Sequence, residues 1–178
     1  MVLSSSYFVW KGIEELESEE KTRVLRWQLQ AREPIHRFSD MKEGDHLVRK
    51  NSFLGYEHHF ICIGFNHEGR PKIIHYYNTA IKASLQVIKT ADLERLAIVQ
   101  VMTLPHKDFI KREDKLQAKG REVERVVWPE ELRRFSVREV VSRALEKKDE
   151  ESFHLTKNNC ESFVMWCLCG LNISLQVG

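Results

Sequence analysis

The chain has 178 residues, 42% hydrophobic and 30% charged, and its 28 basic and 26 acidic side chains give a net charge of +2. That size and apolar content suit one globular domain with a core of its own. The charge balance argues neither way about nucleic acid, but no basic block stands out, so no nucleic-acid partner is expected. Four cysteines, at 62, 160, 167 and 169, are too few and too uneven for a secreted disulfide framework. The N-terminal stretch lacks the charged-then-apolar order of a signal peptide. No run of about 18 apolar residues is present to span a bilayer. A reducing, cytoplasmic setting is the simplest expectation.

In chain order, residues 10–32 carry scattered apolar positions (Ile13, Leu16, Val24, Leu25, Trp27, Leu29) in a charged background. This reads as a docked helix, broken into two pieces by Gly12 and the acidic cluster Glu17 to Glu20 and ended at Glu33-Pro34, because a residue before proline avoids the α region. Lys42-Glu43-Gly44-Asp45 is turn chemistry leading into a strand from His46. Tyr56 to Phe65 is rich in aromatic and β-branched residues and reads as a strand; Asn66 to Pro71 is a hairpin loop, and Lys72 to Tyr77 is the returning strand. Ile81 to Lys89, Leu96 to Met102 and Arg121 to Trp128 are further strand candidates, the last stopped by Pro129. Residues 106–120 are polar and show no clear period.

Ser136-Val137-Arg138-Glu139 is a capping-box pattern that opens a helix. Thr156 to Asn159 is polar, and Asn is a good helix N-cap. Phe163, Val164 and Cys167 then follow at helical spacing, which places Cys160 in the first turn of a short, largely buried helix. The order of helix, antiparallel hairpins and helices predicts an α+β fold, an antiparallel sheet with helices packed on it.

Cys160 is the candidate nucleophile. A helix N-terminus stabilises a thiolate, and its free amides can receive an oxyanion. A nucleophilic cysteine also needs a base and the base an orienting group. His58 and His75 lie on consecutive predicted strands joined by a short loop, so pairing brings their imidazoles near each other. His59 is the reserve base, because a bulge or register slip would exchange it with His58. Cys167 and Cys169 form a C-x-C pair without finger spacing and read as core, as does Cys62; no metal and no organic cofactor are expected. The basic residues at 111, 112, 115 and 119 read as a solvated face or a contact with anionic lipid.

Four blocks, Gly44-Asp45-His46-Leu47-Val48, Tyr56 to Gly64, Ile73-Ile74-His75-Tyr76-Tyr77-Asn78 and Thr156 to Gly170, occur in the order and chemistry that resemble the lecithin–retinol acyltransferase-like family of thiol enzymes. In that family a catalytic histidine stands six residues before a glycine, which matches His58 and Gly64. A second histidine on the next strand matches His75, and an Asn-Cys-Glu block matches Asn159-Cys160-Glu161. The helix from Ser136 also resembles the family's helix before that block. The resemblance covers roughly residues 40–170. It implies a circularly permuted papain-like fold over 40–178, with residues 1–39 as an N-terminal helical extension. It further implies a thioester mechanism in which a fatty acyl group leaves a glycerophospholipid for Cys160 and then passes to an alcohol, an amine or water, with His58 as base and His75 orienting it. The implied partner is phospholipid at a membrane surface. Two departures stand out: Ser162 replaces a histidine frequent in the family, and the sequence ends eight residues beyond Gly170, short of the hydrophobic anchor many members carry. The same Cys–His pair also serves a papain-like peptidase or amidase, and a catalytically silent interaction domain on this fold is the third reading.

Overall fold

A computed structural model describes residues 5–78, 97–151 and 159–176. Two helices come first, α1 (Ser5–Glu14) and α2 (Ser18–Gln28). The break falls at residues 15–17, beside the acidic cluster, while Gly12 sits inside α1. The helical stretch stops earlier than Pro34, which belongs instead to the short strand β1 (Arg32–Pro34). β1 is the outermost strand of the sheet, where a residue without an amide hydrogen is tolerated.

The remaining strands are β2 (His46–Asn51), β3 (Tyr56–Phe65), β4 (Pro71–Asn78), β5 (Ala97–Thr103) and β6 (Val123–Val126). They form one six-stranded sheet in the order β1-β6-β2-β3-β4-β5, and every pairing is antiparallel. The candidate strand over 81–89, and Leu96, lie outside the described residues. Two more helices follow, α3 (Val137–Glu146) and α4 (Cys160–Cys169). The architecture is α+β, as the order of elements predicts.

The period of two along the strands sorts the core into two layers. Leu47, Phe60, Cys62, Ile73 and Val123 face one side, where Ile35, Met41, Leu104, Ile110 and Leu116 from irregular segments cover them. The polar-looking stretch 106–120 is thus an ordered cover. Its Gln117 carboxamide donates to the carbonyls of Ile35 (2.9 Å) and Val123 (2.8 Å), satisfying backbone groups beside the sheet. Val48, Ile61, Ile74 and Val99 face the other side, against the helices. Trp10, Ile13, Leu25 and Leu29 of the N-terminal helices share a cluster there with Met165 and Cys169 of α4.

α4 is apolar nearly all round because it is buried between sheet and helices. Gly170 closes it in the left-handed conformation, φ 81°. Cations hold its C-terminal end: Arg143 donates to the Trp166 carbonyl at 2.8 Å and stacks 3.9 Å over that indole, and Arg134 donates to the Cys169 carbonyl at 2.9 Å. Its N-terminal end, with Cys160, is thereby aimed at β3.

Candidate active site

The first turn of α4 is built by a reciprocal cap. The Asn159 side chain accepts from the Ser162 amide at 3.0 Å, and Ser162 Oγ accepts from the Asn159 amide at 2.8 Å. Ser162, the departure from the family pattern, is therefore the capping partner, and it is fully buried. The Cys160 sulfur rests against the edge of β3. The His59 backbone amide points to Sγ at 3.5 Å, and the Glu57 carbonyl lies 4.0 Å away.

That edge is open. The β3–β4 pairing runs from Ile61↔Ile74 towards the hairpin, so Tyr56 to Phe60 have no β4 partner in the ladder, although they pair with β2 on their other side. The vacant backbone is partly taken by Gln176, whose carboxamide accepts from the Glu57 amide at 2.7 Å and donates to the Glu57 carbonyl at 3.1 Å.

Burial sets the sulfur's chemistry first. It pushes the Cys160 thiol up to about 11, and the Glu161 carboxylate adds to the rise. The amides of His59, Glu161 and Cys160 itself act in the opposite direction. The resting group is a thiol that needs a base, held among donors that favour its thiolate.

The irregularity in β3 lies between Cys62 and Gly64, beyond the histidines. From Tyr56 to Cys62 the alternation is regular, so His58 and His59 occupy opposite faces. His58 lies with Phe60 and Phe109 on the face covered by loops. Its Nε2 is 2.7 Å from His75 Nδ1, so the two strand histidines are in direct contact. His75 is buried, and its Nε2 has no hydrogen-bond partner among the described residues. Since Nε2 of His58 is used by His75, its Nδ1 is the nitrogen left for a third group. Burial lowers His58 to about 3 and His75 well below the usual histidine value, so both rings are neutral at physiological pH. Among the described residues the sulfur's hydrogen-bond partners are backbone groups; no imidazole nitrogen is one of them.

His59 lies on the helical face; its Nδ1 is hydrogen-bonded, and its Nε2 faces Glu161 with no hydrogen-bond partner among the described residues. Nδ1 is 2.7 Å from His46 Nε2, and Nε2 is 3.5 Å from Glu161 Oε2. Trp128 Nε1 donates to His46 Nδ1 at 3.1 Å. Glu161 Oε1 accepts from Ser174 Oγ at 2.8 Å, the Leu175 amide at 2.6 Å and the Gln176 amide at 2.9 Å. His46, Trp128 and Glu161 do not announce themselves in the sequence. Two signals are legible there: a histidine two residues before Val48 on an alternating strand falls on the same face as Val48, and Glu161 adjoins Cys160 in a helix with scarcely any polar side.

Phe109, at the rings of His58 and His75 (centroids 5.5 and 5.2 Å), also lines a cavity of about 500 Å³ rimmed by Lys111, Arg112, Lys115 and Arg121. Of these, Arg112 is paired with Asp114 at 3.1 Å. Cys62, Cys167 and Cys169 are buried free thiols away from this site. No three His, Cys, Asp or Glu among the described residues converge as metal ligands. No described helix is long and apolar enough to cross a membrane.

A family model described as lecithin retinol acyltransferase matches residues 39–173. No curated protein and no solved structure matches the chain.

Proposed function

The chain belongs to the lecithin retinol acyltransferase family, whose members are thiol enzymes of the acyltransferase and phospholipase type, and on that premise we propose that it moves a fatty acyl group from a glycerophospholipid through a thioester on Cys160. The observation that carries this reading is the seat of the sulfur: at a helix N-terminus, against the open β3 edge that flanks His58, whose Nε2 is bonded to His75.

In the proposed reaction His58 takes the thiol proton at Nδ1, and the thiolate attacks the ester carbonyl. The amides of His59, Cys160 and Glu161 stabilise the anionic sulfur and face the developing oxyanion. Collapse expels the lysophospholipid alkoxide, which takes the proton from the imidazolium and leaves S-acyl Cys160. An alcohol, amine or water then attacks, gives its proton to His58 and releases the thiolate. His75 orients His58 and shares its charge. His58 reaches the sulfur by turning around the open edge of β3, a contact that tightens when substrate fills the site. Residues 40–178 form the catalytic domain and residues 1–39 a helical extension to it.

Two surface features support a lipid substrate. The β2–β3 turn exposes Phe53 (95%) and Leu54 (54%) next to Tyr56, at the end of β3 that holds the sulfur, in a position to enter a lipid surface. The basic rim beyond Phe109 suits a phosphate head group while the ester approaches His58. The reaction then takes place at a membrane surface, on the reducing, cytoplasmic side.

The test is product formation from phosphatidylcholine vesicles, followed as lysophospholipid by mass spectrometry. Wild type releases it and folded Cys160→Ala does not; equal release by both overturns the reading. A second reading, amide cleavage, is favoured by the Gln176 carboxamide pairing with both backbone groups of Glu57, as an extended peptide does at a strand edge. Turnover of peptide with none of lipid selects it.

A further inference from the structure

The hydrogen bonds on the helical face have a direction. An indole nitrogen only donates, so His46 Nδ1 accepts from Trp128 and the His46 proton sits on Nε2. That proton is given to His59 Nδ1, which places the His59 proton on Nε2, facing the Glu161 carboxylate. Every proton therefore points the same way, from Trp128 towards Glu161. The members are buried: His46, His59 and Glu161 are 4%, 2% and 3% exposed. Arg32 further disfavours a proton on either histidine, so the relay is neutral up to its terminal carboxylate.

The relay ends on the sulfur from two directions. His59 offers its backbone amide to Sγ, and its ring, hydrogen-bonded to His46 at Nδ1 and facing the Glu161 carboxylate at Nε2, holds that amide in place. Glu161 adjoins Cys160 and grips Ser174, Leu175 and Gln176, and Gln176 returns to Glu57, whose carbonyl is the sulfur's other neighbour. A closed ring of contacts thus surrounds Cys160. Packing alone does not call for this, because apolar side chains fill such a face without the cost of burying four polar groups.

We propose that Trp128, His46 and His59 form a directional hydrogen-bond relay, aimed at the Glu161 carboxylate 3.5 Å from His59 Nε2, that positions Cys160, with His59 and Glu161 as positioning residues for the sulfur. The inference rests on Cys160 being the nucleophile of the proposed acyl transfer. It also gives two adjacent histidines different roles, since His58 exchanges protons and His59 holds geometry.

The experiment compares His59→Leu with His59→Gln in the full chain. Leucine keeps an apolar face but breaks the relay. Glutamine accepts at its carbonyl from His46 and donates at its amide to Glu161, which restores the direction. The readout is alkylation of Cys160 by iodoacetamide at pH 8, located by peptide mass mapping, with the thermal midpoint measured alongside. Loss of a held amide donor raises the thiol by about one pKa unit, so His59→Leu is expected to alkylate about tenfold more slowly. His59→Gln should return to within about twofold of wild type. Alkylation of folded His59→Leu at the wild-type rate or faster, or His59→Gln as slow as His59→Leu, overturns the proposal.

Should His59→Leu not fold, the ring ¹⁵N shifts of the wild type decide. Nε2–H tautomers at both His46 and His59 are expected, with a mixture in Trp128→Phe; Nδ1–H at either position in the wild type overturns the relay. Alkylation needs no lipid. A chain whose alkylation depends on His59 but which turns over no lipid therefore keeps the relay and loses only the acyl-transfer reading.

Discussion

Two histidine pairs share β3 and face away from each other across the sheet, and they differ in the groups that face their rings. His58–His75 and His46–His59 have the same nitrogen separation, 2.7 Å, and burial lowers the basicity of all four rings. On the helical face the Trp128 indole closes one end, and at the other His59 Nε2 faces the Glu161 carboxylate at 3.5 Å without a hydrogen bond. On the loop face His75 Nε2 has no hydrogen-bond partner among the described residues, and His58 Nδ1 is not used by His75. The indole, which only donates, fixes the direction of the protons in the helical-face pair. The comparison teaches that neighbouring histidines of one strand are told apart by the groups that face their rings, not by distance or burial.

The strongest way to break the comparison is to remove one imidazole from each pair. His58→Gln is expected to lower lipid turnover by roughly 10²–10⁴, the usual contribution of a positioned base, whereas His59→Gln stays within a few-fold of wild type. Steady-state assays on vesicles separate the two; equal losses would make the pairs equivalent. His75→Leu comes next. It leaves His58 without its Nε2 partner, and a fall in kcat of about tenfold or more, with KM little changed, is the outcome that supports an orienting role.

Acid sharpens the contrast differently, because here both pairs act alike. Histidines lowered to about 3 in the fold, against about 6.5 unfolded, are neutral in the native state while the unfolded chain takes up protons. Their contribution to stability is present above pH 6.5 and is lost as pH falls from there towards 3. Each such group weakens the fold by up to about 1.4 kcal/mol per pH unit in that window. The thermal midpoint should drop between pH 6.5 and 4.5, and less steeply in His46→Phe. A flat profile would mean that the rings are not buried as described. The smallest effect is expected at the surface: Phe53→Asp should weaken binding to phosphatidylcholine vesicles several-fold in a flotation assay and leave Cys160 alkylation unchanged.

Much of the fold is legible in the sequence because it rests on local signals. The aromatic and β-branched run of β3 marks that strand residue for residue, and the caps at Ser136 and Asn159 mark the starts of α3 and α4. The end of α2 is harder to read because Pro34 is a strong breaker, yet the helix stops at Gln28 and the proline sits on an edge strand. Residues 106–120 look like solvent-facing loop, since nothing local shows that Ile110 and Leu116 are buried under the sheet. At the site, the contact of His58 with His75 follows from strand pairing. The face of Cys160 does not. The sequence places the sulfur at a helix start, but only the long-range fold sets it beside the backbone of Glu57 and His59. The groups assembled around His46 and His59 come from β2, the segment after β6, and α4, so no spacing rule could collect them.

The most direct measurement is acid-quenched mass spectrometry of the full chain within the first turnovers on phosphatidylcholine vesicles. The account predicts a mass increase of one acyl chain, mapped to Cys160, removed by hydroxylamine and strongly delayed in His58→Gln. A folded wild-type chain that releases lysophospholipid with no acyl group on Cys160 would contradict it.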